Sequence, residues 1–373
     1  MYRYRLKNLL LAATLITLAG CSHAMQARVP EGLLLKPVAA CDPGSPFDVS
    51  RTGVAACVDS GGIGMRSPQG ELVTVKEAPA TALSFSPDGE MLAAAVPAGK
   101  LTILRLFDGK GRTVSETKVS GRATSLVWRS GGELLCGVIE VHRYGFGTEL
   151  VSILYQWDGK TAPKATTLAD VTLRRQVATM PEELLFNQFL LALSPYGDEI
   201  AYTTIKDPPL FSPYLRVMIR HLETGAETEV TQTSVGAGAV AYAPDGESLV
   251  VSDGTAGTRK ISLADAKLLE ELPPSPRGPA LSPSGAYSYL NGNLYQQGKA
   301  VASFPPDAKG AFLRDGSALA LSHDGELYIL SGLKDAAHVR PADLERILKL
   351  RRLKSQGLIS DSEYRKEKEK VTP

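Results

Sequence analysis

The chain lacks most of the residues and patterns that announce an activity. Only four of its 373 residues are cysteine and five are histidine. His23, His142, His221, His323 and His338 are scattered, without the spacing of metal ligands. There is no G-x-S-x-G elbow for a nucleophilic serine, no phosphate-binding loop and no dinucleotide fingerprint. Neither sign of charge dominates: 41 basic residues face 40 acidic ones, a net charge of +1. A balanced chain has no basic footprint for nucleic acid, and no nucleic-acid partner is expected. After residue 20 no apolar run approaches the roughly 20 residues of a membrane-spanning helix. No catalytic residue, metal or cofactor is expected. What is plentiful is glycine and proline, 35 and 24 residues. That composition reads as turn-rich and all-β.

The first 20 residues read as a signal peptide. Arg3, Arg5 and Lys7 form a basic start, and Leu9 to Leu18 an apolar stretch too short to span a bilayer. Leu18-Ala19-Gly20-Cys21 resembles the lipobox of bacterial lipoproteins. The resemblance implies cleavage before Cys21, acylation of its thiol and attachment to a membrane. Ser22 follows. In Gram-negative members a serine there implies the outer membrane, with the protein facing the periplasm. Residues 21–32 are then a linker, short enough to keep the body near the bilayer.

The body repeats. Leu83-Ser-Phe-Ser-Pro-Asp-Gly89, Leu191-Ala-Leu-Ser-Pro-Tyr-Gly197, Val240-Ala-Tyr-Ala-Pro-Asp-Gly246 and Pro279-Ala-Leu-Ser-Pro-Ser-Gly285 are the clearest copies. Weaker copies end at Gly53, Gly132 and Gly316. Each is an apolar strand, a turn and a second strand. Proline presets φ at the second turn position, and glycine supplies the positive φ that closes the hairpin. The residue four before each glycine is large and apolar: Val49, Phe85, Trp128, Leu193, Tyr242, Leu281 and Phe312. The residue four after is Cys57, Ala93, Cys136, Ala201, Val250, Tyr289 or Ala320. Both positions are predicted core. Successive glycines are 36, 43, 65, 49, 39 and 31 residues apart, near the roughly 40–50 residues of a four-stranded propeller blade.

Over residues 33–335 the pattern resembles the propeller repeats of the TolB and WD-repeat type. Seven turns imply a β-propeller of seven blades, with six or eight also compatible. The ring must close, and Leu33 to Val38 has no hairpin mate. This segment is expected to supply the outer strand of the last blade, where Pro37 is tolerable on a sheet edge. Cys57 and Cys136 share one blade position, and a small buried residue is the expected role there. Cys41 with Cys57 is the one disulfide the arrangement leaves open.

Three long segments fall on one face of adjacent blades: 141–148, 173–189 and 205–214. They carry Arg143, Tyr144, Phe146, Phe186, Phe189, Phe211 and Tyr214. Aromatics and arginine dominate interface hot spots, so these seven form a candidate partner-binding patch. The competing reading is that they pack on one another and cap an elaborated blade.

From residue 340 the pattern becomes helical. Pro341 suits a helix start, and Leu344, Ile347, Leu348, Leu350 and Leu353 recur at helical spacing before Gly357. Ser360-Asp-Ser-Glu363 is a capping box for a second helix, with Ile359 and Tyr364 as its hydrophobic staple. The stretch Leu353-Lys-Ser-Gln-Gly-Leu-Ile-Ser-Asp-Ser-Glu-Tyr resembles the SHOCT module of bacterial C-termini. That resemblance implies self-association or docking. Residues 343–373 carry nine basic and six acidic side chains, which fits either a solvated face or anionic headgroups.

Together these features imply a non-catalytic envelope lipoprotein that holds a protein partner by one propeller face. Two alternatives remain: an enzyme or small-molecule binder using the central channel, and a structural protein assembling through its tail.

Overall fold

The computed structural model describes residues 25–371 apart from 77–78, 146, 174–180, 182–184, 187, 207–212, 236–237, 254–256, 276–277 and 335–340. Among the described residues twenty-eight strands form seven antiparallel sheets of four. Blade 1 is β2 (Phe47–Val49), β3 (Ala55–Asp59), β4 (Gly62–Arg66) and β5 (Leu72–Val75). Blade 2 is β6 (Ala82–Phe85), β7 (Met91–Ala98), β8 (Leu101–Asp108) and β9 (Thr113–Ser120). Blade 3 is β10 (Arg122–Trp128), β11 (Leu134–Tyr144), β12 (Gly147–Trp157) and β13 (Lys164–Leu173). Blade 4 is β14 (Leu191–Leu193), β15 (Glu199–Lys206), β16 (Tyr214–His221) and β17 (Glu227–Ser234). Blade 5 is β18 (Ala239–Tyr242), β19 (Ser248–Ser252), β20 (Thr258–Ser262) and β21 (Leu268–Leu272). Blade 6 is β22 (Ala280–Leu281), β23 (Tyr287–Leu290), β24 (Asn293–Gln296) and β25 (Lys299–Ser303). Blade 7 is β26 (Lys309–Phe312), β27 (Ala318–His323) and β28 (Glu326–Ser331), completed by β1 (Leu34–Ala40).

The ring closes where the sequence predicts. β1 pairs antiparallel with β28, Leu34 opposite Ser331 and Ala40 opposite Glu326, with a bulge between Pro37 and Ala39. The bulge absorbs the proline that cannot donate to a ladder. A disulfide joins Cys41, just beyond β1, to Cys57 in β3. It ties the closing strand of blade 7 to blade 1. Cys136 is free and buried. Residues 25–32, expected as linker, pack on the ring instead. Met25 is buried and Ala27, Val29 and Leu33 pack beside it against blades 6 and 7. Arg28 makes an antiparallel bridge to Ser303.

The repeat places the core. All seven residues four after a turn glycine are buried. Of those four before, Val49, Phe85, Trp128 and Tyr242 are buried, while Leu193, Leu281 and Phe312 are half-buried. The turn glycines have positive φ, from 66° at Gly246 to 81° at Gly53 and Gly132. Apolar clusters fill the seams between blades, alanines such as Ala93 and Ala95 meeting large partners such as Trp128 and Trp157. Trp128 also donates its indole N–H to the Ser84 carbonyl across the blade 2–3 seam, at 3.0 Å.

Strands are designated a to d from the axis outward. The a–b and c–d turns lie on one face. The b–c hairpins and the connections between blades lie on the other. Beyond blade 7 come α1 (Pro341–Ser355) and α2 (Asp361–Glu369). Gly357, at φ 69°, ends the first turn of chain between them. The capping box forms at α2: Glu363 N–H donates to the Ser360 hydroxyl at 3.2 Å, and Ser360 N–H to the Glu363 carboxylate at 2.8 Å.

Candidate functional site

Two surfaces merit attention, one on each face. Among the described residues the longest b and c strands are those of blade 3, where β11 and β12 each run for 11 residues. The longest b and c strands elsewhere in the ring have eight. The β11–β12 hairpin therefore stands proud of the ring. Tyr144 at its tip is 63% exposed. Its hydroxyl donates to Glu149 at 2.8 Å, and that hydrogen bond raises its pKa. Arg143 is exposed beside it. His142 reaches Glu140 at 3.0 Å. Tyr214, half-buried, opens β16 of blade 4 on the same face.

The remaining candidates separate. Phe146 and Phe211 lie outside the described residues. Phe186 is half-buried, with the Arg122 guanidinium 4.6 Å from its ring centre. Phe189 is 2% exposed and packs edge-on to Tyr202, ring centres 6.4 Å apart. It closes on Gly137, where an added Cβ would meet the Phe189 ring at 2.8 Å. Phe189 therefore belongs to the seam between blades 3 and 4, and it offers no surface to a partner. The competing reading, aromatics capping an elaborated blade, describes Phe189 and part of Phe186. It does not describe Tyr144.

The other surface is built by the C-terminal hairpin, which docks on the a–b turns of blades 4 and 5. Arg351 donates to Asp198 and Glu199, each at 2.6 Å. Its guanidinium also lies 4.9 Å from the centre of the Tyr196 ring. Lys368 donates to Glu247 at 2.7 Å and to the Asp245 carbonyl at 2.8 Å. Ile347 and Val371 close over Tyr196, with Leu348 at the margin. Tyr364 is 3% exposed, between Lys354 and Lys368. Leu350, Leu353 and Ile359 are half-buried. Leu344 lies within α1, and its side chain is outside the described residues.

Burial governs the titration of this cradle. It pushes Tyr196 up to about 12 and raises Glu199, against the pull of Arg351. Burial alone would lower Arg351, but Glu199 and Asp198 outweigh it and hold the proton more tightly than usual. The sequence carried one trace of this site. The third turn position is Asp or Ser in the other clear copies, at 88, 245 and 284, and Tyr only at 196. The acids themselves looked like ordinary turn residues.

Between the hairpin and blades 4 and 5 lies a cleft of about 500 Å³, lined by Glu199, His221, Leu269, Lys354, Tyr364 and Arg365 among others. A second groove, of about 520 Å³, runs between blades 5 and 6. At the a–b end of the central channel, Arg314 of blade 7 donates to the Phe85 carbonyl of blade 2 at 3.2 Å. Asp48 of blade 1 accepts from the Phe85 N–H at 2.7 Å. Among the described residues no group of three or more His, Cys, Asp or Glu is placed to hold a metal ion.

A chain in the crystal structure of the mitotic checkpoint complex matches this architecture with a TM-score of 0.55. The match covers 83% of this chain and 94% of that one, at 15% sequence identity. The likeness is one of fold. This chain is a seven-bladed β-propeller of WD-repeat-like architecture with two short C-terminal helices. No family model matches the sequence. No curated protein matches it either. Among the described residues no helix is long and apolar enough to cross a membrane.

Proposed function

We propose that this propeller is a non-catalytic scaffold of the bacterial cell envelope, carried on a lipid at Cys21 after removal of residues 1–20. It holds a protein partner on its b–c face at blades 3 and 4. The observation that carries this reading is the projecting β11–β12 hairpin with Tyr144 63% exposed at its tip. An exposed tyrosine beside an arginine, raised above a rigid ring, is the residue pairing of interface hot spots. The opposite face of blade 4 is already covered by the chain's own hairpin, which leaves the b–c face for a partner.

The TolB-like and SHOCT-like resemblances agree with this assignment, the first as an envelope scaffold and the second as a docking module. Here the module's contacts are made to its own propeller. Self-association through Ile347 or Tyr364 would require the hairpin to leave that cradle. The tether is also short. Met25 packs on blades 6 and 7, four residues after Cys21, a reach of at most about 14 Å. A partner is therefore expected on or near the membrane, the outer membrane in the periplasmic assignment.

The test is to purify the tagged, lipidated protein from gently solubilised membranes beside the triple variant Arg143→Ala, Tyr144→Ala, Phe146→Ala. One enriched protein that disappears with the triple variant supports the scaffold and its face. The same protein retained by the variant would remove the b–c face at blade 3 from the proposal.

A further inference from the structure

The docked hairpin turns one set of residues inward and another outward. Arg351, Ile347, Tyr364 and Lys368 face the propeller. Arg346, Lys349 and Arg352 are exposed. Spacing of three residues places them in one row along α1. Between positions 346 and 354 the sequence has five basic residues and no acidic one. The turn that follows presents Leu358, 66% exposed.

The neighbouring rim of blade 5 adds exposed leucines, ahead of Glu270 and Glu271 on the same strand. Leu268 and Leu269 open the outer strand β21, 51% and 57% exposed. Two adjacent exposed leucines on an edge strand invite aggregation unless something covers them. Leu269 lines the same cleft as Lys354 and Arg365 of the hairpin. Leu269, Leu358 and a row of cations thus share one region. Water alone does not favour leucine there, and a protein partner of ordinary composition does not require the basic row. An anionic bilayer meets both demands: headgroup phosphates take the cations, and the leucines enter the acyl boundary.

We infer that the outer side of the C-terminal hairpin, with the adjoining rim of blade 5, is a contact surface for an anionic lipid bilayer. The contact does not depend on an acyl chain at Cys21. It is compatible with one.

Residues 21–373 carrying Cys21→Ser, free of the basic and apolar residues 1–20 that would themselves bind vesicles and without a cysteine to acylate at that position, are mixed with vesicles and sedimented. Phosphatidylcholine vesicles are compared with vesicles containing about 30% phosphatidylglycerol, which carry a negative surface potential. Binding to the anionic vesicles only, lost at about 0.5 M salt, is expected. Reversing three charges in Arg346→Glu, Lys349→Glu, Arg352→Glu should weaken partition by roughly a hundredfold or more. Leu358→Ser with Leu269→Ser should weaken it by roughly tenfold while leaving thermal unfolding unchanged. No sedimentation with anionic vesicles overturns the inference. So does equal binding to neutral vesicles, or undiminished binding by the charge-reversed variant. None of these outcomes bears on partner capture by the b–c face.

Discussion

Replacing Arg351 by alanine tests how the C-terminal hairpin is held. The Arg351 side chain is 12% exposed, between Asp198 at 11% and Glu199 at 21%. Removing the cation while both acids stay enclosed costs roughly 3–5 kcal/mol, the range for breaking a buried pair from one side. The chain can avoid that penalty by releasing the hairpin, because water then reaches both carboxylates. Holding the hairpin in place are Ile347, Val371 and the Tyr364 ring, worth roughly 1.5–3 kcal/mol for each large apolar side chain fully buried. The entropy of ordering the hairpin subtracts from that sum. The penalty is therefore of the same size as docking itself. The docking equilibrium should shift by about two to four powers of ten. Amide hydrogen exchange across residues 346–371 measures the shift directly. Exchange there should quicken by roughly a hundredfold or more, with β27 and β28 unchanged. The defect should also depend on pH. Burial raises Glu199 in the docked state, and losing Arg351 raises it further. A carboxyl whose pKa is raised by docking favours docking when protonated, so the defect is full above that raised pKa and shrinks as pH falls through it. Tail exchange within about threefold of the parent would refute this account of the cradle.

Other substitutions probe the ring itself. Gly246 has φ 66°, and an added Cβ would lie 2.4 Å from the Tyr196 ring. Gly246→Ala should cost roughly 2–4 kcal/mol, strain and overpacking together, and should loosen the hairpin. Gly99→Ala, at φ 68° with nothing within 4 Å, should cost only about 1–2 kcal/mol by thermal unfolding. Reducing the Cys41–Cys57 bridge, which spans 16 residues of sequence, should lower stability by roughly 3 kcal/mol in denaturant titration. Trp128→Phe leaves the Ser84 carbonyl without its indole donor and should lower stability by roughly 1–3 kcal/mol in the same assay.

The fold was legible because its unit repeats. A glycine closes each a–b turn, preceded in the clearest copies by proline, and the residue four after it is buried in every blade. The unpaired Leu33–Val38 segment likewise announced the closing strand, since a ring with one strand missing needs a mate from elsewhere in the chain. The start of the folded body was less legible. Met25, Ala27 and Val29 looked like linker, because three apolar residues among polar ones show no period until a surface exists to receive them. Phe189 was a misleading signal. A connection between blades reads as a surface loop, yet Gly137 leaves a gap that draws this ring inward. The hairpin cradle was invisible for a related reason. Asp198, Glu199 and Glu247 are ordinary turn residues in sequence, and become a site only when Arg351 and Lys368 arrive from over a hundred positions away. The leucines of the tail announced a need for a partner but could not identify blades 4 and 5.

The central claim is that the b–c face at blade 3 holds a protein partner. Site-specific photo-crosslinking in intact envelopes tests it most directly. A photoreactive residue replaces Tyr144 on that face, or Glu90, exposed beside the a–b turn of blade 2 on the other face. The account predicts one discrete adduct from position 144 and none of that mass from position 90. No adduct from position 144, or the same adduct from both positions, would contradict it.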